Sequence, residues 1–246
     1  MNDHELAVKI ADEAGALLIK TRAMFAGDAG DKALGDKGDR DANIYILEAL
    51  RSQRPDDAVL SEESEDDHAR LSSSRVWIVD PLDGTREYRE GRDDWAVHIA
   101  LSIDGEPSLG AVALPSLGLV MSTLDPPALP ALDPSRIRMV VSRTRPSAMT
   151  LRICEVMGGE LIEMGSAGAK AMAVVRGEAE MYAHSGGQYQ WDNCAPVAVA
   201  ASAGLHVSRL DGSPLVYNAA ETSLPDLLIC RREFADQAIS IARGEE

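Results

Sequence analysis

The chain has 246 residues, a length that fits one large domain or two halves sharing a core. Its apolar fraction of 45% and charged fraction of 26% are typical of globular proteins and exclude a disordered, collagen-like or coiled-coil chain. The formal net charge is −16, from 24 Lys and Arg against 40 Asp and Glu, and this excess excludes nucleic acids and anionic membranes as partners, because both require clustered cations.

The first part of the chain predicts two helices followed by short strands. Apolar side chains recur at helical spacing over 3–24, with Asp3 as the predicted N-cap. Residues 27–43 are rich in Asp, Lys and Gly and predict a loop, and a second helix follows over 41–54, ended by Pro55. The pattern then becomes typical of strands, at 58–60, 75–79, 95–103, 109–114 and 119–124.

A proline-rich segment separates this part from the rest. Four of the ten residues 125–134 are proline, which interrupts helices and central strands alike. Beyond it, strands at 137–142, 159–164, 179–184 and 227–230 alternate with helices at 146–158, 167–177, 192–203 and the carboxyl end. We therefore predict a mixed α/β (α+β) fold in two packed halves, 1–134 and 135–246, that form one compact unit.

Two further properties concern the compartment. The amino terminus lacks a basic stretch followed by an apolar core, so we expect no signal peptide, and no apolar run reaches the ~20 residues that cross a bilayer. The three cysteines are far apart and odd in number, which argues against a disulfide framework and a zinc–thiolate site. We therefore expect a cytoplasmic protein.

The most informative string is WIVDPLDGTREY at 77–88. A predicted strand brings Asp80 to its carboxyl end, and Pro81 predicts a turn before Asp83. In this geometry the two carboxylates and the Leu82 carbonyl can converge on one point, and such hard oxygen ligands suit Mg²⁺. The structural alternative is an Asp turn followed by an N-cap threonine, and the string alone does not decide between the two.

Other positions bear on the same question. Gly84 and Thr85 predict the start of a helix, where backbone N–H groups can hold phosphate oxygens. Glu62 follows a predicted strand, a position that lines ligand crevices in α/β sheets, whereas the acidic run after it is typical of a solvated surface. Asp192 follows a tryptophan at a predicted helix start, where an N-cap is the ordinary role.

Together these strings resemble the inositol monophosphatase superfamily of metal-dependent, lithium-sensitive phosphatases. The resemblance rests on SEES at 61–64, DPLDGT at 80–85 and WDNCAP at 191–196, in that order. Asp39 also stands 23 residues before Glu62, as is usual in the family. The resemblance extends over nearly the whole chain and implies a layered α/β/α/β/α sandwich.

The resemblance implies a set of metal ligands. Glu62, Asp80 and the Leu82 carbonyl would hold one Mg²⁺ ion. Asp80 would bridge to a second ion, completed by Asp83 and Asp192, and the family pattern allows a weaker third ion at Glu62. The chemistry agrees, because four carboxylates in one cleft repel one another unless cations occupy it.

The resemblance also implies the groups that act on substrate. Thr85, held by Asp39, would orient a metal-activated water for in-line attack on phosphorus, assisted by Glu62. Backbone amides at Gly84 and Thr85 would cradle the phosphate. The implied substrate-binding residues are Glu62, Leu82, Asp83, Gly84, Thr85, Ser142, Lys170 and Asp192.

The substrate class depends on the second half. GSAGAKAMAVVRGEAEMYAH at 165–184 resembles the CysQ-like 3′(2′),5′-bisphosphate nucleotidase branch of actinobacterial type, in which Lys170 stands beside the nucleotide. In VVSRTRP at 140–146, Ser142 and Arg143 match that branch, and the two residues after them depart from it. The resemblance implies hydrolysis of the 3′-phosphate of 3′-phosphoadenosine 5′-phosphate, and of 3′-phosphoadenosine 5′-phosphosulfate, in sulfur assimilation.

Two alternatives stay open at this point. An inositol-1-monophosphatase, with a side activity on fructose 1,6-bisphosphate, would use the same metal core. A non-catalytic acidic protein that binds divalent cations or a partner is the alternative of another class, and the water-activating pair Asp39 and Thr85 argues against it. We expect a small-molecule phosphate ester as the partner, and the family allows a homodimer.

Overall fold

The computed structural model describes residues 1–27 and 30–245, which form seven α-helices and two five-stranded sheets. The helices are α1 Asp3–Met24, α2 Lys32–Gln53, α3 Thr85–Arg89, α4 Ala148–Val156, α5 Ala167–Val175, α6 Gln190–Ser202 and α7 Ala235–Arg243. The first sheet, in the order β1–β2–β3–β4–β5, contains Ala58–Ser61, Arg75–Asp83, Ala96–Ile103, Glu106–Leu114 and Leu119–Ser122. The second, in the order β7–β6–β8–β10–β9, is built from β6 Arg138–Ser142, β7 Glu160–Met164, β8 Met181–Tyr189, β9 His206–Ser208 and β10 Ser223–Cys230.

The sheets and helices stack in five layers. Helices α1 and α2 cover the outer face of the first sheet, α5 and α6 lie between the sheets, and α4 and α7 cover the outer face of the second. This order confirms the predicted α/β/α/β/α sandwich. The central helices carry the most complete burial, since every residue of α5 is buried.

The alternation of side chains along β2 decides which of them reach the central layer. Val76 and Ile78 belong to the apolar cluster between the sheets, whereas Trp77 and Val79 belong to the cluster under α1 and α2. Successive strand residues point to opposite faces. Asp80 therefore continues the face of Val76 and Ile78 and is directed toward the layer of α5 and α6.

The largest error of the sequence prediction is the loop over 27–43, because residues 32–43 belong to a helix. Helix α2 begins at Lys32, with Asp31 as its N-cap, and residues 28 and 29 of the predicted loop lie outside the described ranges. The glycines of α2 allow close packing, because a Cβ on Gly35 would stand 2.7 Å from Thr85 Cγ2. Ion pairs one turn apart, such as Lys37 with Asp41 at 2.5 Å, support the exposed face.

Smaller differences occur at two element ends. The N-cap of α1 is Asn2, whose side chain accepts from the Glu5 N–H, because the Asp3 carboxylate instead pairs with Arg54 and Arg75. Strand β2 does not end at residue 79 but continues to Asp83 through an irregularity. Strand β9 was not predicted at all, since its three residues are too short for a period to be read.

Two whole-chain expectations can be compared with the described residues. Across residues 1–27 and 30–245, no helix has both the length and the apolar character that a bilayer span requires. The cysteines Cys154, Cys194 and Cys230 are free and buried, which agrees with the absence of a predicted disulfide framework.

Candidate functional site

A pocket of about 340 Å³ opens where the carboxyl end of β2 meets the start of α5. Six of the predicted site residues line it, namely Asp83, Gly84, Thr85, Ser142, Lys170 and Asp192. The remaining four do not line it: Asp39 lies on α2, Asp80 and Leu82 lie on β2, and Glu62 directly follows β1. The pocket therefore draws on both parts of the chain.

An irregularity in β2 aims its two aspartates. Asp80 is paired with His98 of β3 and Asp83 with Ala96, so between these pairs two residues of β2 oppose one of β3. Such a bulge re-aims side chains and is common beside functional sites. The Asp80 Oδ1 atom accepts a hydrogen bond from the Leu82 N–H at 3.0 Å, which fixes the turn around Pro81.

The turn closes at a position that only glycine fills easily. Gly84 has a φ of +90°, in the left-handed region. A Cβ there would also stand 3.1 Å from Ser166 Cβ and 3.2 Å from Trp95 Cβ. Glycine thus lets β2 pass directly into α3, which places Thr85 beside the pocket.

Three aspartates meet at this turn. Carboxylate oxygens of Asp80, Asp83 and Asp192 all lie within 4.8 Å of one another. Asp80 Oδ2 is buried and has no hydrogen-bond partner among the described residues. An orphaned carboxylate oxygen beside two further carboxylates is a donor set that fits a divalent cation.

The mutual repulsion of these groups changes their protonation. Burial raises the pKa of Asp80 well above its ordinary value, and the charges of Glu62 and Asp83 add to the effect. Burial and the Asp83 charge raise the pKa of Asp192 to about 7. Glu62 directly follows β1, and its side chain lies close to Asp80. Burial likewise raises the pKa of Glu62. A bound cation would supply positive charge, which stabilises these carboxylates in their ionised form.

Asp83 has very different surroundings from Asp80. Its Oδ2 accepts from the Ser166 hydroxyl at 2.5 Å and from the Gly168 N–H at 2.6 Å, and its Oδ1 accepts from the Ala167 N–H at 3.1 Å. Burial acts to raise its pKa, but His98 and Ser166 outweigh burial and hold the pKa at about 2. His98 and the start of α5 therefore keep this carboxylate ionised, and the donors at the start of α5 orient it.

The predicted water-activating pair is brought together by α2 and the β2–α3 turn. Thr85 Oγ1 lies 3.5 Å from Asp39 Oδ1 and 3.2 Å from the Leu82 carbonyl oxygen, so its hydroxyl can donate to either. Asp39 is only 8% exposed. Burial, followed by the charges of Glu63 and Glu62, raises the pKa of Asp39 to about 8.

Lys170 contacts protein carbonyls rather than a carboxylate. Its Nζ donates to the Gly165 carbonyl at 2.9 Å and the Ser166 carbonyl at 2.5 Å, and lies 5.3 Å from the centre of the Tyr182 ring. Burial lowers the pKa of Lys170 to about 8. Ser166 has a φ of +44°, unusual for a residue with a side chain, and Lys170 therefore supports a strained turn in the pocket wall.

The other predicted substrate-side residues lie at the end of β6. Ser142 lines the pocket, and its Oγ accepts from the Arg145 N–H at 3.2 Å. The Arg143 guanidinium pairs with Glu87 at 2.7 Å and Glu90 at 2.6 Å. The arginine side chain is thus held by two carboxylates of the first half.

Sequence reasoning missed two groups that contact the aspartates. Ser166 was read only as part of a family string, although it forms a bond to Asp83. His98 was not predicted as a site residue, although its Nε2 lies 3.3 Å from the same carboxylate. The available signal was a histidine in a mostly apolar strand, because a buried polar group needs partners.

A comparison with known families now decides the relationship. The model of the inositol monophosphatase family matches residues 3–126 and 133–243. The chain belongs to the inositol monophosphatase family. This family is metal-dependent, and the cluster of Asp80, Asp83 and Asp192 provides carboxylates that could bind a metal.

Relatives within the inositol monophosphatase family include curated enzymes. A 3′-phosphoadenosine 5′-phosphate phosphatase from Mycobacterium bovis is 52% identical over 232 residues, which cover 91% of this chain and 86% of the relative. The 3′(2′),5′-bisphosphate nucleotidase CysQ of Escherichia coli is 31% identical over 215 residues, covering 83% of this chain and 87% of the relative. These relatives confirm the predicted resemblance.

A solved structure supports the fold. The crystal structure of CysQ from Bacteroides thetaiotaomicron has a TM-score of 0.77 and 24% identity to this chain, with 94% of this chain and 97% of that chain covered. At this identity the likeness concerns the fold alone, and the fold agrees with the layered sandwich described above.

Proposed function

We propose that this chain hydrolyses the 3′-phosphate of 3′-phosphoadenosine 5′-phosphate, yielding AMP and inorganic phosphate. The observation that carries the proposal is the convergence of three aspartates, two of them buried and Asp192 partly buried, beside the Thr85–Asp39 pair at the pocket. The activity named for the M. bovis relative, at 52% identity, supports this substrate. The sulfonucleotide 3′-phosphoadenosine 5′-phosphosulfate would be a second substrate, which links the chain to sulfur assimilation.

We propose Mg²⁺ as the metal. Glu62, Asp80 and the Leu82 carbonyl would hold one ion. Asp80, Asp83 and Asp192 would hold a second ion. Glu62 would hold a weaker third ion. When bound, Mg²⁺ would neutralise phosphate charge and lower the pKa of water, and it suits these donors because all of them are hard oxygens.

Thr85 would orient the attacking water. Its hydroxyl can donate to Asp39 and still accept a hydrogen bond from water through a lone pair. Asp39 then serves as the acceptor for the proton that leaves the nucleophile, since its Oδ1 lies 3.5 Å from Thr85 Oγ1. A pKa of about 8 for Asp39 suits a group that takes up and releases a proton near neutral pH.

The rest of the pocket would hold the substrate. The N–H groups of Gly84 and Thr85, at the start of α3, would bind the phosphate being cleaved. Ser142 and Lys170 face the same pocket from the second half and would contact the nucleotide. Glu62, Leu82, Asp83 and Asp192 complete the proposed binding set through their contacts with the ions.

A phosphate-release panel tests the proposal. The purified chain is given 3′-phosphoadenosine 5′-phosphate, its 5′-phosphosulfate relative, inositol 1-phosphate or fructose 1,6-bisphosphate, with and without Mg²⁺ and Li⁺. We expect the highest kcat/KM for 3′-phosphoadenosine 5′-phosphate, full dependence on Mg²⁺ and inhibition by Li⁺. A clear preference for inositol 1-phosphate would instead assign an inositol-1-monophosphatase. Cation binding without phosphate release would assign a non-catalytic protein.

Three further statements are part of the same proposal. Halves 1–134 and 135–246 would act as one catalytic unit with the pocket between them. The protein would work in the cytoplasm on a small phosphate ester. It would also form a homodimer, which sedimentation of the purified chain would test.

A further inference from the structure

His98 is a buried polar residue whose ring lies beside the aspartate cluster. It lies on β3 with no exposed surface, between the apolar residues Val97 and Ile99. Its backbone is paired with that of Asp80 across the strands. An imidazole ring in such a position is costly to bury unless its nitrogens have partners.

The two ring nitrogens reach the two segments that carry the aspartates. Nε2 lies 3.3 Å from Asp83 Oδ2, within ion-pair distance although without hydrogen-bond geometry. Nδ1 lies 3.0 Å from the carbonyl oxygen of Trp191, the residue before Asp192. The ring therefore bridges the end of β2 and the start of α6.

The space for this ring is created by a glycine. Gly168, at the start of α5, donates its N–H to Asp83 Oδ2 at 2.6 Å. A Cβ at residue 168 would stand 2.1 Å from His98 Nε2, closer than any real contact. Glycine at this position is thus what allows the ring to approach Asp83.

The bridge opposes a repulsion. Carboxylate oxygens of Asp83 and Asp192 lie within 4.8 Å of each other. Two like charges on separate elements would move apart unless something fixed their separation. Ligand side chains of metal sites are commonly oriented by such neighbouring groups.

We propose that His98 is a positioning residue of the metal site. Its ring fixes Asp83 and the start of α6 relative to each other, so that the carboxylates of Asp83 and Asp192 meet one cation. This inference rests on the metal site proposed above. His98 has no exposed surface and does not line the pocket, so it would act through Asp83 and α6 rather than on the substrate.

The test measures metal binding by the metal-free protein. The chain is stripped with EDTA, and Mg²⁺ binding is followed by calorimetry, with the electron paramagnetic resonance of Mn²⁺ as a second probe. We expect His98→Ala to bind Mg²⁺ ~10- to 100-fold more weakly than the parent, the range typical of lost orienting partners. Parent-like Mg²⁺ affinity in folded His98→Ala would overturn the proposal.

Two further variants make the result independent of one substitution. Gly168→Ala retains the histidine but pushes its ring away from Asp83, and we expect the same loss of Mg²⁺ affinity. His98→Asn retains one side-chain donor and should bind Mg²⁺ with intermediate affinity. Should His98→Ala fail to fold, parent-like binding by these two variants would still refute the proposal.

The matched control lies on the same strand and the same face. Ser102 is buried, and its hydroxyl has no hydrogen-bond partner among the described residues. Ser102→Ala should leave Mg²⁺ affinity unchanged, and an equal loss there would reduce the role of His98 to that of any buried polar residue of β3. Because the titration uses no phosphate ester, a wrong substrate in the proposed function would not alter its outcome.

Discussion

Individual side chains of the cluster differ in how far the protein itself satisfies them. Asp83 receives three hydrogen bonds from the start of α5, whereas Asp80 Oδ2 has none among the described residues. Asp192 lies between these extremes, with one bond at 2.6 Å from the Tyr189 N–H. Asp83 is thus held in place by protein donors, and Asp80 is the aspartate that depends most on a cation.

Thr85 allows water activation to be separated from metal binding. Its hydroxyl contacts Asp39 and the Leu82 carbonyl rather than the clustered carboxylates. We expect Thr85→Ala to lower kcat by ~100-fold or more, the usual size of a lost proton-transfer group, with Mg²⁺ affinity close to that of the parent. Phosphate-release kinetics and calorimetric Mg²⁺ titration would measure the two quantities.

The matched variant for this experiment is Thr85→Ser. It retains the hydroxyl and should retain most of the activity. If Thr85→Ala hydrolysed the substrate as fast as the parent, Thr85 would have no part in activating water.

Among the secondary-structure elements, helix α2 packs directly against the β2–α3 turn at the pocket, which its sequence alone does not indicate. Gly35 and Gly38 allow this helix to approach the β2–α3 turn, since a Cβ on Gly38 would stand 3.0 Å from Tyr88 Cε1. The same helix carries Asp39, one residue beyond Gly38. The distance between Asp39 and Thr85 therefore depends on how closely α2 packs.

Gly35→Ala should move Thr85 without changing any ligand. The added methyl would stand 2.7 Å from Thr85 Cγ2, and small displacements of catalytic groups can cost up to ~100-fold in rate. We expect kcat to fall ~10- to 100-fold, while Mg²⁺ affinity stays near that of the parent. Kinetics at saturating Mg²⁺ would measure this.

Gly15→Ala provides the control for crowding alone. A Cβ on Gly15 of α1 would stand 2.7 Å from Pro115 Cγ, an equally tight contact away from the pocket. Both variants should lose stability by ~1–3 kcal/mol through overpacking, but only Gly35→Ala should lose activity. Equal activities would show that α2 does not position Thr85.

Elements with a regular apolar pattern were predictable from sequence. Elements whose position depends on contacts with residues distant in sequence were not. The strand before Asp80 could be read because its faces pack against two different apolar clusters. The part of α2 before residue 41 was missed because its glycines pack against Thr85 and Tyr88, which lie far away in sequence. For the same reason the carboxylates could be nominated from their positions after strands, whereas the bridging role of His98 required coordinates.

For the molecule as a whole, the carboxylates at the pocket couple stability to pH. The pKa values of Asp39 and Asp192 are raised to about 8 and about 7, well above the ordinary aspartate pKa of ~3.9. Between the ordinary and the raised pKa values, the folded metal-free protein therefore holds more protons than the unfolded chain. Its stability therefore falls as pH rises from 5 toward 8.

Mg²⁺ should reduce this pH effect, because it binds the ionised carboxylates. We expect the Tm in EDTA to be several degrees lower at pH 8 than at pH 6, since ~1 kcal/mol corresponds to ~2–4 °C for a chain of this size. Saturating Mg²⁺ should remove most of the difference. Thermal denaturation followed by circular dichroism measures both, and an identical Tm with and without Mg²⁺ at pH 8 would contradict the prediction.

The core between the sheets has a consequence for the covalent chain. This cluster contains Leu60 and Val76 from the first half and Val174, Val197 and Ile229 from the second. Neither half can leave the other without exposing these apolar surfaces to water. A protease cut within the proline-rich segment 125–134 would therefore yield two fragments that stay associated as one particle, with the aspartates still together.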